Sequence, residues 1–487
     1  MAHGFGQRLD LPIPLWLWLA AAGMTVVTSF ALVIDFLPAV LERTNYPRLA
    51  LSRWRPFRLL THWAVITCLR SVVLALSFVT LAAALYGNPE PEHNIAPAMV
   101  WVVAWVGLTF ACALVGNLWA VCNPFATLYD IGAWCIRLAG ITATTVARPY
   151  PAWLGTWPAV VGLYALAYCE HVTTSAAQPR HIGVAMLIYS VFTLAGMTVF
   201  GRAPWLRNAE TFSVAFALFG RFAPFDCRRA LDGSAASLGA DQVASAAVPQ
   251  AATELYLRAP AVGLLDDQHV SPSLLYFVLL LLSSVTFDGF VETSTWRQLA
   301  AGIEHASAWP NEFGAALGQS PEQVIKTVAL IGFPLLFVLP YVLSCAAMVS
   351  AGIARRERHP FQTCISRFVL TLMPIAIAYH LSHYLTLLYA TLHQLPTLLA
   401  DPFGTGKPLF DLAPVDDMGQ VMNVHSSWTV IILLIIAGHV LAVYLAHVVA
   451  LDLSDKRGVA IRSQLPLLAI MVVYTMVSLW LLAQPIM

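Results

Sequence analysis

Ten long apolar runs, separated by polar connections, dominate the chain: 13–40, 65–86, 97–115, 152–169, 182–200, 271–288, 327–351, 368–392, 427–451 and 466–484. About 20 apolar residues rising ~1.5 Å each are enough to cross the hydrocarbon of a bilayer, so each run predicts a membrane-spanning helix. The expected fold is all-α, a polytopic transmembrane helix bundle of ten spans, numbered here 1 to 10 in chain order. Composition agrees: 59% of the 487 residues are hydrophobic and 11% charged, whereas a soluble domain carries about 25% charged residues. A soluble enzyme is excluded, and the lipid bilayer is the first partner implied.

Charge gives the bundle a direction. Connections after spans 1, 3, 5, 7 and 9 hold 20 Lys and Arg residues, from Arg43 through Arg462; the other side holds four, Arg8, Arg180, Arg297 and Lys407. Cationic loops stay in the cytoplasm, so both termini are expected outside it, in a bacterial inner (cytoplasmic) membrane. The N-terminus lacks a charged signal-peptide n-region, so span 1 is expected to act as its own insertion signal. Three regions follow: an N-terminal membrane half, 1–200; a cytoplasmic connection, 201–270; and a C-terminal membrane half, 271–487. A five-and-five division inserts the halves from opposite sides, a geometry compatible with inverted-repeat transporters. Within the connection, 208–222 mixes Phe and Leu with Arg and Glu as a helix lying on the membrane surface would. The Ser/Ala/Gly-rich 234–252 reads as a mobile loop.

Other features narrow the chemistry. Net charge is zero with no basic block, so nucleic acid is not a partner. Eight cysteines lie mostly in apolar runs without a C-x-x-C pair and read as helix packing. No G-x-S-x-G, H-E-x-x-H or Gly-rich phosphate loop occurs, which excludes signatures of serine hydrolases, zincins and NTPases. Gly116 and Asn117, followed by Asn123-Pro124, imply interrupted backbone after span 3, read as a cytoplasmic turn.

Ionisable side chains inside spans cost ~2.5–3.5 kcal/mol each, which makes them functional candidates. His380 and His383 share one face of span 8 at i, i+3 spacing. Counted from outer boundaries at 393 and 426, His380 and His439 of span 9 both lie roughly 20 Å deep. These three imidazoles are candidate ligands for a divalent metal, zinc or copper; haem or a proton relay would use the same groups. His447 falls nearer the cytoplasmic side. Asp288, in Thr286-Phe287-Asp288-Gly289-Phe290, ends span 6 where a helix break would free backbone groups, and is the candidate catalytic carboxylate. Asp35 of span 1 reads either as a structural partner of Arg70 or the arginines that follow span 1, or as a functional carboxylate. His3, His93, His305, His393 and His425 mix with Glu90, Glu92, Glu292, Glu304, Asp411, Asp416 and Asp417 in outer segments, a second set able to bind a cation.

Several strings together resemble bacterial polytopic membrane proteins of the fenitrothion hydrolase family. They are Ala2-His3-Gly4-Phe5-Gly6, Asp10 to Trp16, Asn94-Ile95-Ala96-Pro97, Gly116 to Trp119 with Asn123-Pro124, Phe287-Asp288-Gly289, His380-x-x-His383-Tyr384 and Gly438-His439-Val440. The likeness runs over nearly the whole chain and implies hydrolysis of an organophosphate triester, a small apolar substrate. In that reading His380, His383 and His439 hold the metal and Asp288 orients its water. Two positions depart from the family pattern: Phe125 stands where Trp follows Asn-Pro, and Met1 directly precedes Ala2, so a mature terminal histidine for copper is not supplied. The rival reading is a metal-handling, haem or transport protein built on the same histidines; a third is a subunit that acts with a membrane partner.

Overall fold

The computed structural model describes residues 14–36, 46–140, 147–229, 253–266, 270–410, 424–454 and 456–484. Ten helices there are long and apolar enough to cross a membrane: Leu15–Asp35, Trp63–Tyr86, Ile95–Leu114, Ala152–His171, Pro179–Phe200, Pro272–Val291, Pro321–Ser350, Pro360–Ala400, Ser427–Leu453 and Arg457–Leu482. They match spans 1 to 10 in order. Four begin on Pro, whose fixed φ and missing N–H suit the first helical position. Span 8 overruns its expected end at 392 and continues to Ala400.

Burial separates centre from periphery. In span 8, 83% of the most apolar stretch is buried and in span 6 78%, against 6% in span 2, so spans 6 and 8 form the middle of the bundle. Span 9 packs along span 8: Gly438 faces Ala378 and the Pro374 carbonyl so closely that a Cβ there would collide.

The 201–270 connection departs from expectation. Instead of lying on the surface, helix Thr211–Phe222 is inside the bundle. Helix Arg202–Asn208 first folds back along span 5, placing the Trp205 ring against Phe192 and Phe200. From its start at Glu210, Thr211–Phe222 then returns, with Phe212 and Phe216 against Trp105 of span 3 and Phe219 5.8 Å from His380. Its apolar face meets protein, not lipid headgroups. Gly116–Pro124 is likewise more than a turn. Helix Leu118–Cys122 turns inward ahead of Pro124–Leu138, and the side chains of this interruption meet the start of Thr211–Phe222. Trp119 Nε1 donates to Glu210 Oε2 at 3.1 Å, and Asn123 Nδ2 to Ser213 Oγ at 3.4 Å. Interrupted backbone at such depth is tolerated because protein covers it and side chains cap it: Asn123 caps Ala126 N, and Glu210 caps Phe212 N and Ser213 N.

At the arginine-rich face three short strands, β1 (Leu49–Ala50), β2 (Phe225–Arg229) and β3 (Thr253–Leu257), pair antiparallel in the order β1-β3-β2. Buried Arg258 ties this patch to the inner hairpin, bonding Asp226 and the carbonyls of Gly220, Arg221 and Ala223. Arg70 does not pair with Asp35: its Nε donates to Val121 O at 2.8 Å, and its Nη1 lies 3.7 Å from Asp130. The stretch 234–252 lies outside the described residues, as do His3, Asp411, Asp416, Asp417 and the Ala2–Gly6 string.

Candidate functional site

Spans 4, 6 and 8 converge on a buried group of two carboxylates, two imidazoles and two phenols. Asp288 is its hub. Helix Pro272–Val291 runs unbroken past it, so this carboxylate is carried by a regular helix and not by the break expected from the sequence. Each Asp288 oxygen faces a different imidazole: Oδ1 lies 3.1 Å from His171 Nδ1, and Oδ2 lies 2.8 Å from His383 Nε2. The Tyr384 hydroxyl stands 2.8 Å from Asp288 Oδ2 and 3.3 Å from Glu170 Oε1; its single proton serves one of them at a time. Glu170 Oε2 in turn is 3.7 Å from His171 Nε2.

Packing fixes these rings. His171 meets Phe287 edge-on at 6.1 Å, and Tyr379 stacks along His383 at 6.0 Å. Gly289, one residue after the hub, leaves the space that the Tyr379 hydroxyl fills, since a Cβ there would come within 2.8 Å of that oxygen. Outside this layer, Trp296 of helix Ser294–Ala306 covers Phe287 and Phe290.

The electrostatics can be counted. His171 has a nitrogen directed at each carboxylate, but a neutral imidazole carries one N–H, so one carboxylate would face a bare lone pair. Among the described residues neither Glu170 nor Asp288 pairs with Lys or Arg; their charged partners are histidines. Two buried carboxylates beside neutral imidazoles leave two negative charges, which protons or one divalent cation would balance.

Geometry meets the second option. Glu170, His171 and Asp288 each offer a ligand atom, all within 4.8 Å of one another. Metal–donor bonds of about 2.0–2.1 Å in a tetrahedral shell put donors about 3.3 Å apart; the 3.1 Å from His171 Nδ1 to Asp288 and the 3.7 Å from His171 Nε2 to Glu170 belong to opposite nitrogens of the ring, so one imidazole nitrogen joins both carboxylates around an ion only by closing up from within the 4.8 Å limit. Oxygen and imidazole donors without thiolate suit zinc, manganese or iron(II) better than copper(I). A cavity bordered by Glu170, His171, Tyr384, Ser284 and Trp105 has room for about one water. A porphyrin is not accommodated there.

Of the expected histidines, His383 joins this centre through Asp288. His380 points elsewhere: it is 1% exposed, packed on Trp105 at 5.7 Å and Tyr384 at 4.7 Å, with neither ring nitrogen partnered. His439 directs Nδ1 to Ile435 O at 2.8 Å and leaves Nε2 without a partner. Among the described residues, His380, His383 and His439 are not a group within ligand distance. The boundary expected at 393 is not a helix end, since the helix continues to Ala400; the contact of Gly438 with Ala378 nevertheless keeps His380 and His439 at neighbouring levels. Sequence reasoning misses Glu170 and His171, because the apolar run of span 4 closes at 169. The available signal is an adjacent Glu-His pair closing a span on the same side of the membrane as Asp288.

In the outer segments His93 pairs with Glu90 at 3.0 Å, and His393 Nδ1 bonds Tyr389 O at 2.8 Å. His305 is exposed. None of these belongs to a metal-sized group among the described residues. The eight cysteines are all unpaired as thiols.

Set against family models, curated proteins and solved structures, the chain matches none of them.

Proposed function

We propose that the protein is a membrane-embedded metal protein in which Glu170, His171 and Asp288 hold one divalent ion, and that this centre serves hydrolysis of an apolar ester. The observation that carries the reading is the pair of buried carboxylates sharing His171 without Lys or Arg, with three donors inside 4.8 Å. A divalent ion supplies Lewis acidity and lowers the pKa of a bound water toward ~7. The chain's own residues do the rest. His383 holds Asp288 by its second oxygen, as outer partners orient metal-binding carboxylates. Tyr384 reaches both carboxylates and can hand its proton to either, and the adjoining cavity admits one water. The likeness to fenitrothion hydrolases supplies the substrate class, a phosphotriester whose nitrophenolate leaves with little acid assistance.

The size of that cavity favours a second reading, metal handling without ester turnover, since one water fits where a triester does not. One experiment separates them. Metal content and nitrophenyl phosphotriester hydrolysis are measured on detergent-purified protein, wild type beside Asp288→Asn and His171→Ala. One metal per chain, lost in both variants together with turnover, is the expected result. Metal without turnover in the wild type would leave only the handling reading, and absence of metal would remove both.

A further inference from the structure

Three buried histidines lie outside the centre, in a row that descends from it toward the arginine-rich face. His380 is uppermost. Both of its nitrogens are unpartnered, and its ring touches Tyr384, whose hydroxyl faces Asp288 and Glu170. On the facing helix Gly438 packs against Ala378, which sets His439 within about one helical turn of His380. His447 follows eight residues on, about 12 Å further along span 9. It is 0% exposed; Gln464 donates to its Nδ1 at 3.1 Å, and its Nε2 has no partner.

A buried polar atom without a hydrogen bond is destabilising, and more so in a membrane, where no bulk water can supply the missing partner. Here four imidazole nitrogens stand in that condition on two adjacent spans. Their hydrogen states are also set. Because His439 Nδ1–H donates to Ile435 O, its Nε2 presents a lone pair; because His447 Nδ1 accepts from Gln464, its Nε2 carries the proton.

We propose that His447, His439 and His380 form a proton path between the arginine-rich face and the buried centre, and through it across the membrane. His447 first takes a proton from water at Nδ1, in place of the hydrogen bond from Gln464, and the imidazolium so formed releases its Nε2 proton to a water on the side of His439. His439 takes a proton at Nε2, becomes an imidazolium whose Nδ1–H stays on Ile435 O, and releases the proton from Nε2 to the water toward His380. His380 accepts at one nitrogen and donates from the other toward Tyr384. Water is the only co-reactant and no electrons move; His439 is restored directly, while His447 and His380, which take a proton at one nitrogen and release it from the other, regain their starting tautomers by turning the ring. Imidazole is suited to this because it takes up and gives back a proton near neutral pH.

The path does not depend on the metal reading and is tested apart from it. Purified protein is reconstituted into vesicles containing a fluorescent pH indicator, a potassium diffusion potential is set with valinomycin, and the lumenal pH change is followed. Wild type is expected to exceed protein-free vesicles, and His439→Leu and His447→Leu to slow it at least about tenfold, while both variants elute as single species and keep the wild-type metal content. A wild-type rate equal to empty vesicles, or unaltered rates in both variants, would overturn the path and leave the metal centre standing. Proton flux that depends on these histidines in protein without metal would remove the metal centre and leave the path. If the leucine variants do not purify as single species, His439→Gln and His447→Gln replace them, and unaltered flux in both likewise overturns the path.

Discussion

Among the described residues two carboxylate sites are buried in this bundle, and their partners divide structure from chemistry. Glu210, at the tip of an inward hairpin, is ringed by donors: Tyr189 and Phe212 N on Oε1, Trp119 Nε1 and Ser213 N on Oε2. Every bond runs one way, into the carboxylate, and two come from the first turn of the helix that it caps. Such a group is stabilised where it stands and gains nothing from a ligand. Asp288 and Glu170 have the opposite arrangement. They share His171 and the Tyr384 hydroxyl, so the count of hydrogens does not close without an added proton or cation. Burial alone therefore does not mark a functional carboxylate in a membrane; an unfilled set of donors does.

Glu210→Gln gives the largest effect expected from this contrast. The amide turns its NH2 toward donors that need an acceptor, and breaking a buried charged set costs about 3–5 kcal/mol. Thermal unfolding in detergent should show the loss, while metal content of the folded fraction stays at the wild-type value. Loss of metal at unchanged stability would reverse the roles assigned to the two sites.

Asp288→Asn comes next. It keeps the shape and the neutral hydrogen bonds of the hub but removes one negative charge and one ligand oxygen, so metal affinity should fall by at least about 100-fold. Because the variant also relieves a buried charge, its unfolding temperature should stay near the wild type. A folded Asp288→Asn protein with full metal content would end the case for this centre.

Tyr384→Phe sharpens the same comparison with a smaller change. Only one hydroxyl, 2.8 Å from Asp288, is lost; a hydrogen bond to a charged group contributes about 1.5–3 kcal/mol, so metal affinity or turnover should shift by about tenfold to about a hundredfold. Titration with zinc reads the shift. An equal effect from Tyr379→Phe, whose hydroxyl has no partner, would show that packing and not the hydrogen bond is responsible.

How much of this is legible in the sequence follows from length scales. The ten spans are visible because crossing a bilayer requires an uninterrupted apolar run. Helix Thr211–Phe222 escapes that signal for the same reason: twelve residues are too short to cross, and only tertiary contact shows that Val214, Phe216, Leu218 and Phe219 bury against protein. Asp288 and His383 stand out as ionisable groups inside apolar runs. Glu170 and His171 do not, since at a span's end a charge is inexpensive and draws no notice. Nor does spacing along spans 8 and 9 give the rotation of one helix against another. It takes the Gly438–Ala378 contact to fix how the two helices face, with His380 against Trp105, while His439 turns back to Ile435 of its own helix.

The smallest expected effect lies outside the membrane helices, where a third carboxylate is ringed by donors as Glu210 is, but in water. Asp401 ends span 8 and accepts from Thr405 N, Gly406 N and the Thr405 hydroxyl. The same turn presents the carbonyls of Pro402 and Phe403 to Ile95 N and Asn88 N, clasping span 8 to the start of span 3. Burial acts to raise its carboxyl pKa, but the bonds from Thr405 and Gly406 outweigh it and hold the value below the usual carboxylate range. A depressed folded value contributes stability that is complete above the unfolded pKa of about 3.9 and disappears as pH falls through the folded one. Asp401→Asn should therefore lower the unfolding temperature slightly at pH 7, with the gap to wild type closing below about pH 4. Solvent screens this turn, so the gap should be much smaller than that for Glu210→Gln. A gap that stays constant from pH 7 to about pH 3, or widens in acid, would mean that the turn is held by its backbone bonds and that the carboxylate adds nothing.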